Sequence, residues 1–579
     1  MRRRALTALA VVAAVLASFA SSAALAATPS SPSQDPFYSY FGPTPLSQIP
    51  LGTVLKTRPI SFTPIVGGPL GLVNGVEMLY RSENALQQPT VNVATVLKPL
   101  FGNGNVVSYG SFYDSLNPID EPSWQFYTKS ESGSEAPLDQ AMMVPYLLAG
   151  DTVVVADTEG ENADFAAGPE YGYNTLNALR AAISDPADSG LAANAKIALV
   201  GYSGGAIAAG WAAELAPSYA PTINSHLVGT AIGGVFVDPI HNLYYISGSS
   251  QWAGVMAEAL IGFSRSYGVN LSSYASNYGT QVFSSMQNDN INQFNSELPN
   301  LTWSQLVQPQ YADPASIAPL VQISNEDTMG SDGTPTANDP FYILQGNGGT
   351  GDGTPDNGPG IGAGDGVMVL GDVEAMANEY CQAGVPVDFN QASGMTHEEA
   401  GIAFTLAAPT WVAFRFWGFS PPNSCGTIPA GNDIAPLPVP TTSSPSSTDT
   451  PDSTSSSSTS TSGSSGSQST SGVQSGGSAA SGGATAADNS SSNTSQSSTS
   501  QSSSAQSFTA GASSAPLTAT EPLSNGQSST AQTGTTSSSS PFSATQSSTQ
   551  VTKSTSSSTK QSSKHHHKRP APKHRHKRR

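Results

Sequence analysis

Ser203 stands in Gly201-Tyr202-Ser203-Gly204-Gly205, between the apolar run Lys196-Ile197-Ala198-Leu199-Val200 and an alanine-rich stretch that begins at Ala206. The pattern reads as a strand, a tight turn and a helix. A serine on such a turn is strained and crowds the residues two before and two after it, so Gly201 and Gly205 meet a steric need. The turn lifts the hydroxyl above the sheet. It also aims the N-terminus of the following helix, with its partial positive charge, at the same point. The chemistry this suits is attack on an acyl carbon, with an anion developing beside the helix. A Gly-x-Ser-x-Gly run arises by chance in glycine-rich chains; the flanking strand and helix are what give it meaning.

A serine hydroxyl needs a base to take its proton, and histidine titrates near neutrality. Of eight histidines, five lie at or after His565, which leaves His226, His241 and His397. His226 precedes an apolar run and so belongs at the far end of a parallel sheet. His241 follows Val235-Phe236-Val237-Asp238 and is the reserve. His397, in Gly394-Met395-Thr396-His397-Glu398, opens a helix after the run Val385 to Phe389. Hydrolases with this kind of turn place an acid between serine and histidine in the chain, and only His397 leaves room for a late one.

The acid should follow a strand. Phe341-Tyr342-Ile343-Leu344 is such a strand, and the loop from Gly346 to Gly366 carries Asp352, Asp356 and Asp365. Asp365 leads through Gly366-Val367-Met368-Val369 into a helix that reaches Cys381. Spacing alone does not separate Asp365 from Asp352. A loop rich in glycine and aspartate also suits calcium, but no pattern of defined ligand positions is visible. Cys-x-x-Cys and Cys/His zinc spacings are absent, so no metal and no cofactor is expected.

These residues need a scaffold. Short apolar runs at Val91 to Leu97, Asp151 to Ala156, Ile197 to Val200, Leu227 to Ile232 and Phe341 to Leu344 read as buried strands. Helical stretches from Tyr173 to Ile183 and Ala206 to Leu215 lie between some of them. The alternation predicts an α/β fold with a mainly parallel sheet. Phe236 to Ile323 breaks it, with an apolar helical run, Trp252 to Phe263, and then an asparagine-rich stretch. This reads as an inserted helical cap over the sheet, with a second ordinary domain as the alternative.

The two ends differ from the body. Met1-Arg2-Arg3-Arg4, an apolar stretch from Ala5 to Ala20 and Ala24-Leu25-Ala26 predict a secretory leader over 1–26. The body is expected over 27–433. Residues 434–563 are rich in Ser, Thr, Pro, Gly and Gln, with almost no large apolar residues, so a disordered stalk is expected. A Lys/Arg/His block closes the chain over 564–579. Of 22 Lys+Arg, three lie in the first four residues and ten at or after Lys553, leaving nine in the body against 37 of the 41 acidic residues, a formal charge of −28. An acidic globule is not a nucleic-acid-binding body. The basic tail suits contact with anionic cell-envelope polymers, or plain solvation. Two cysteines in an exported chain, Cys381 and Cys425, predict one disulfide.

Taken together, these residues resemble the secretory lipase family typified by Candida antarctica lipase A, α/β-hydrolases with a helical lid. Gly201 to Ala206 resembles the family's nucleophile turn, and Glu214-Leu215-Ala216-Pro217-Ser218-Tyr219-Ala220-Pro221 the stretch after it. Asp157-Thr158-Glu159-Gly160, with Phe165, Gly168 and Leu179-Arg180-Ala181, resembles the strand and helix before it. Asp365-Gly366-Val367, Tyr380-Cys381 and His397 follow in the family's order of acid, disulfide cysteine and base. The likeness runs over most of Pro36 to Cys425. It implies an α/β-hydrolase fold and the triad Ser203, Asp365 and His397. It further implies an oxyanion hole from Gly204 and, by the match of Val107 to Ser115, from Asp114. The implied substrate is a triacylglycerol or related ester met at an oil–water interface by a secreted monomer. Two features depart from the family: a longer glycine-rich insertion before Asp365, and no cysteine pair near Asp114. The rival readings are an acyltransferase acting on envelope lipids, a binding protein that keeps the fold without catalysis, and a peptidase.

Overall fold

The computed structural model describes residues 29–62, 73–128, 136–331, 334–356, 358 and 360–441. The expected leader, most of the stalk and the basic tail lie outside them. The central sheet holds β1 (Val54–Ile60), β2 (Val73–Glu83), β3 (Pro89–Pro99), β4 (Val106–Gly110), β5 (Thr152–Ala156), β6 (Ile197–Tyr202), β7 (Leu227–Gly233), β8 (Phe341–Gly346) and β9 (Val387–Ala392). Their order is β1-β2-β3-β5-β4-β6-β7-β8-β9. β1, β2 and β3 pair antiparallel with their neighbours, while every pairing from β5 to β9 is parallel.

The parallel strands are apolar throughout because both their faces are covered. β6 sends Ile197 and Leu199 into one core and Ala198 and Val200 into the other, as the two-residue period of a strand requires. The helices Gly168–Ser184 and Gly204–Tyr219 contribute Tyr171, Leu176, Ile207 and Trp211 to the first core. The helices Ala136–Ala149 and His397–Phe416 contribute Met143, Leu147, Phe404 and Trp411 to the second. The apolar runs read as strands lie in β3, β5, β6, β7 and β8, apart from Asp151 just before β5, the run Val385 to Phe389 overlaps β9 from Val387, and both helical stretches fall in helices.

Between β7 and β8 the chain leaves the sheet and builds the helical cap. Its main helices are Pro239–Ile246, Val255–Ser266, Asn277–Ser285, Ile291–Glu297 and Ala318–Asp327. Met256, Phe263 and Phe294 share one hydrophobic core with the helix Gly204–Tyr219, so the cap packs onto the sheet layer rather than forming a core of its own. Cys381 and Cys425 are bonded, with Cα atoms 5.5 Å apart. The bond joins the end of the helix Leu370–Gln382 to the segment after His397–Phe416. The body boundary expected at Asp433 falls inside packed chain: Ile434 is buried, and Leu437 and Asn325 exchange two hydrogen bonds. Among the described residues no helix is long and apolar enough to cross a membrane.

Candidate active site

β6 ends at Tyr202, and Ser203 turns directly into the helix Gly204–Tyr219 with φ 55° and ψ −125°. The glycines around it have no space for a side chain. A Cβ on Gly201 would lie 1.9 Å from the Gly205 carbonyl oxygen, and one on Gly205 would lie 2.2 Å from that of Gly110. The turn is held by the Ser203 N–H donating to Gly233 O (2.9 Å) and the Ala206 N–H to Ser203 O (2.8 Å).

His397 opens the helix His397–Phe416, where Thr396 and Glu399 form a reciprocal cap. Its Nε2 lies 2.9 Å from Ser203 Oγ, and its Nδ1 lies 2.8 Å from Asp365 Oδ2. The Tyr202 hydroxyl donates to the His397 carbonyl and holds the backbone that carries the ring. Trp252, from the cap, stands edge-on to its ring at 5.4 Å. Burial works against a charged imidazole here, but the charge and hydrogen bond of Asp365, with Asp114 and Asp352 further off, outweigh it and raise the His397 pKa.

Asp365 is fully buried. Its Oδ1 accepts from the Val367 N–H (3.0 Å) and Met368 N–H (2.8 Å), and its Oδ2 also accepts from Gln345 Nε2 (2.9 Å). Asp352 lies nearby but accepts from Trp252 Nε1 at 3.0 Å. Of the two aspartates that spacing left open, Asp365 is the one that meets the His397 imidazole. Among the described residues no group of three or more His, Cys, Asp or Glu side chains is arranged to hold a metal ion.

The other two described histidines, His226 and His241, lie elsewhere. His226 Nδ1 meets the Ala195 carbonyl (3.0 Å), at the start of β7. His241, in the cap helix Pro239–Ile246, pairs with Asp372 Oδ1 at 2.9 Å. Burial opposes its charge, yet Asp372 and Asp238 raise its pKa to about 9.

Asp114 sits beyond the end of β4 with φ 35°, buried against the nucleophile turn. A Cβ on Gly204 would come 1.8 Å from Asp114 Oδ1, so only glycine leaves room for that carboxyl group. An apolar cavity opens at Ser203 between sheet and cap. Its walls include Ile207, Val255, Met256, Ala259, Phe263 and Val367. A second, more open hollow also reaches Ser203, past Leu138, Met142, His397 and Ile402. Sequence reasoning missed Trp252 and Gln345 as site residues. Gln345 directly follows the expected strand Phe341 to Leu344, which was the only available signal.

Known proteins resemble this chain in sequence and in fold. A family model described as secretory lipase matches residues 125–299. The chain is 35% identical over 239 residues to Lipase 4 of Candida albicans, covering 41% of this chain and 51% of that protein. It is 37% identical over 218 residues to a secreted triacylglycerol lipase of Malassezia furfur, covering 37% of this chain and 40% of that one. The chain thus spans about half the length of the curated relatives it matches. The X-ray structure of Candida antarctica lipase A superposes with a TM-score of 0.58 at 24% identity, over 69% of this chain and 89% of that one. In sequence the chain is similar to the secretory lipases, and it shares the fold of lipase A.

Proposed function

We propose that this chain is a serine carboxylic ester hydrolase acting on long acyl esters, triacylglycerols foremost. One observation carries the reading: a continuous hydrogen-bonded line from Ser203 through His397 to Asp365 opens onto an apolar cavity. His397 Nε2 takes the Ser203 proton as Oγ attacks the ester carbonyl. Asp365 keeps Nδ1 protonated, selects the productive tautomer and stabilises the imidazolium. The Gly204 N–H, at the start of its helix, and the Asp114 carboxyl, which donates only in its protonated form, face the developing oxyanion, and each such donor contributes roughly 3 kcal/mol in comparable sites. His397 then hands its proton to the leaving alcohol. Water, activated by the same histidine, releases the fatty acid.

The apolar cavity suits an acyl chain. Exposed Leu138, Ile402 and Leu406 lie at or beside the more open hollow, which suits a substrate presented at a lipid surface. Secretion is part of the same reading, supported by the family description, the printed name of the Malassezia relative and the disulfide.

The test is an ester chain-length series on the wild type and Ser203→Ala, with and without an oil interface. Loss of turnover in Ser203→Ala and a steep rate rise at the interface are expected. Equal inactivity of both proteins on every ester would leave a binding protein on this fold. Diversion of the acyl group to added alcohols in preference to water would make it a transferase.

A further inference from the structure

The cap grips the segment that carries Asp114. The Ile291 N–H donates to Asp114 O (3.0 Å) and the Leu116 N–H to Asp289 O (3.1 Å), with Ser115 opposite Asn290 in an antiparallel bridge. Asn117 Nδ2 adds a bond to Asn288 O at 3.1 Å. Arg265 closes this arrangement from the last turn of the cap helix Val255–Ser266. Its Nη1 donates to the carbonyls of Leu116 (2.9 Å), Asn162 (3.1 Å) and Ala163 (3.1 Å), and its Nη2 to that of Gln287. One guanidinium therefore ties both arms of the bridge to the loop at 162–163. Among the described residues it makes no ion pair.

The backbone at one of its partners, and within three residues of two others, is strained. Asp114 (φ 35°), Ala163 (φ 53°) and Ala166 (φ 67°) all hold left-handed conformations without being glycine. Such conformations persist only where the surroundings over-determine them, and they concentrate where geometry serves a function. An arginine that makes several carbonyl bonds at once is well suited to this, because its fork of donors is planar and preorganised. Val255, Met256 and Ala259 on the same helix, and Ile291 at the bridge, line the apolar cavity.

We propose that Arg265 is a positioning residue for oxyanion stabilisation: through the Leu116 carbonyl and the Asp289–Ile291 bridge it holds Asp114 against Gly204. This rests on Asp114 and Gly204 being the oxyanion donors. The cap then has two roles, lining the acyl cavity and shaping the site where charge develops. An interaction used only as that charge develops changes kcat and leaves KM nearly unmoved.

The test compares Arg265→Met, Arg265→Lys, Ile291→Pro and Asp114→Ala with the wild type. Ile291→Pro removes the N–H that holds Asp114 O at a helix's first position, where proline is tolerated. The preceding Asn290, at φ −102° and ψ 172°, already has the extended backbone that proline demands. The readouts are kcat and KM on a soluble short-chain ester, and affinity for two ligands. One is an alkyl boronic acid, whose tetrahedral adduct on Ser203 Oγ places an oxygen where the oxyanion forms. The other is the matching alkyl alcohol, which makes no adduct.

Arg265→Met should lower kcat about 10- to 100-fold with KM within roughly two-fold and weaken boronate binding in step, and Ile291→Pro, which also alters the cavity wall, should show the same loss in kcat and in boronate affinity. Alcohol binding should not change in Arg265→Met, boronate binding should weaken more than alcohol binding in Ile291→Pro, and Arg265→Lys should recover part of the loss. Wild-type boronate affinity in a folded Arg265→Met or Ile291→Pro protein, with only KM or Tm altered, overturns the proposal and leaves Arg265 a stabiliser of the cap. If Arg265→Met does not fold, Ile291→Pro decides alone. Unchanged boronate affinity in Asp114→Ala instead overturns the underlying oxyanion assignment, and the two failures are therefore distinct.

Discussion

The two walls of the reactive cavity are built differently. On the sheet side, Ser203 follows β6 directly and His397 follows β9 by a short turn, while Asp365 ends the loop after β8. Parallel strand pairing fixes the ends of these strands, and short backbone bonds fix the loops. On the cap side, Val255, Met256, Ala259, Phe263 and Ile291 come from helices of one long insertion. That wall is held by side-chain packing and by the carbonyl bonds of Arg265. The contrast assigns bond making to the rigid wall and chain selection to the inserted one, with Asp114 at the seam between them.

The largest effects should come from the sheet wall. Ser203→Ala or His397→Ala should lower kcat by about 10⁶, as nucleophile or base deletions do in comparable triads. Asp365→Asn should cost about 10⁴, because the amide favours the wrong imidazole tautomer. It should also move the acid limb of kcat/KM to lower pH. His397 must be neutral to act as a base, and Asp365 is the main group raising its pKa against the effect of burial. Asp352→Asn should change kcat by less than about ten-fold, since its carboxylate meets Trp252 and the backbone of His397 rather than the imidazole. Steady-state kinetics across pH checks all of these. Equal losses in the two aspartate variants would mean that the triad acid is misassigned.

How much of this was legible in the sequence follows from where each constraint acts. Ser203 was readable because its constraint is local: the oxygens that forbid side chains on Gly201 and Gly205 belong to that turn and to β4 beside it. His397 was readable by scarcity. Asp365 and Asp352 share one loop and one residue type, and only the fold sends Oδ2 of the former to Nδ1. Asp114 was reached through the family resemblance alone. β1 and β2 escaped notice because charged residues interrupt them; Arg58 and Glu77 are register partners that pair across the strands. β4 escaped because Ser108 and Tyr109 break a short apolar run. Arg265 left no signal at all, since its partners are carbonyl oxygens, which every residue has.

The cap wall should give smaller and more selective effects. Ala259 faces the cavity from the middle of the helix Val255–Ser266. Ala259→Leu adds bulk there, so long-chain esters should lose roughly 10- to 200-fold in kcat/KM, the usual range for one or a few methylenes in an apolar pocket. Acetyl esters should keep their rate. A uniform loss over the whole chain-length series would break the assignment of chain selection to this wall.

The smallest effect tests how rigid the sheet wall is. Glu214 lies on the nucleophile's helix, fully buried, and its Oε1 accepts from the Tyr380 hydroxyl (2.6 Å) and the Gly330 N–H (2.8 Å). These bonds tie the helix to the one that ends at the disulfide. Burial raises the carboxyl pKa and the two bonds offset this only in part, leaving it at about 8 against 4.5 for a free glutamate. A raised folded-state pKa stabilises the fold fully below about 4.5, and that contribution is lost as pH rises to about 8. Glu214→Gln can keep both bonds through its amide oxygen but cannot ionise. Its Tm should therefore fall less steeply than the wild type between about pH 4.5 and 8, and kcat at pH 6 should barely change. Thermal melts from pH 4 to 9 decide it. Parallel curves would show that Glu214 is ionised in the fold throughout that range, and the helix carrying Ser203 would then need another source of rigidity.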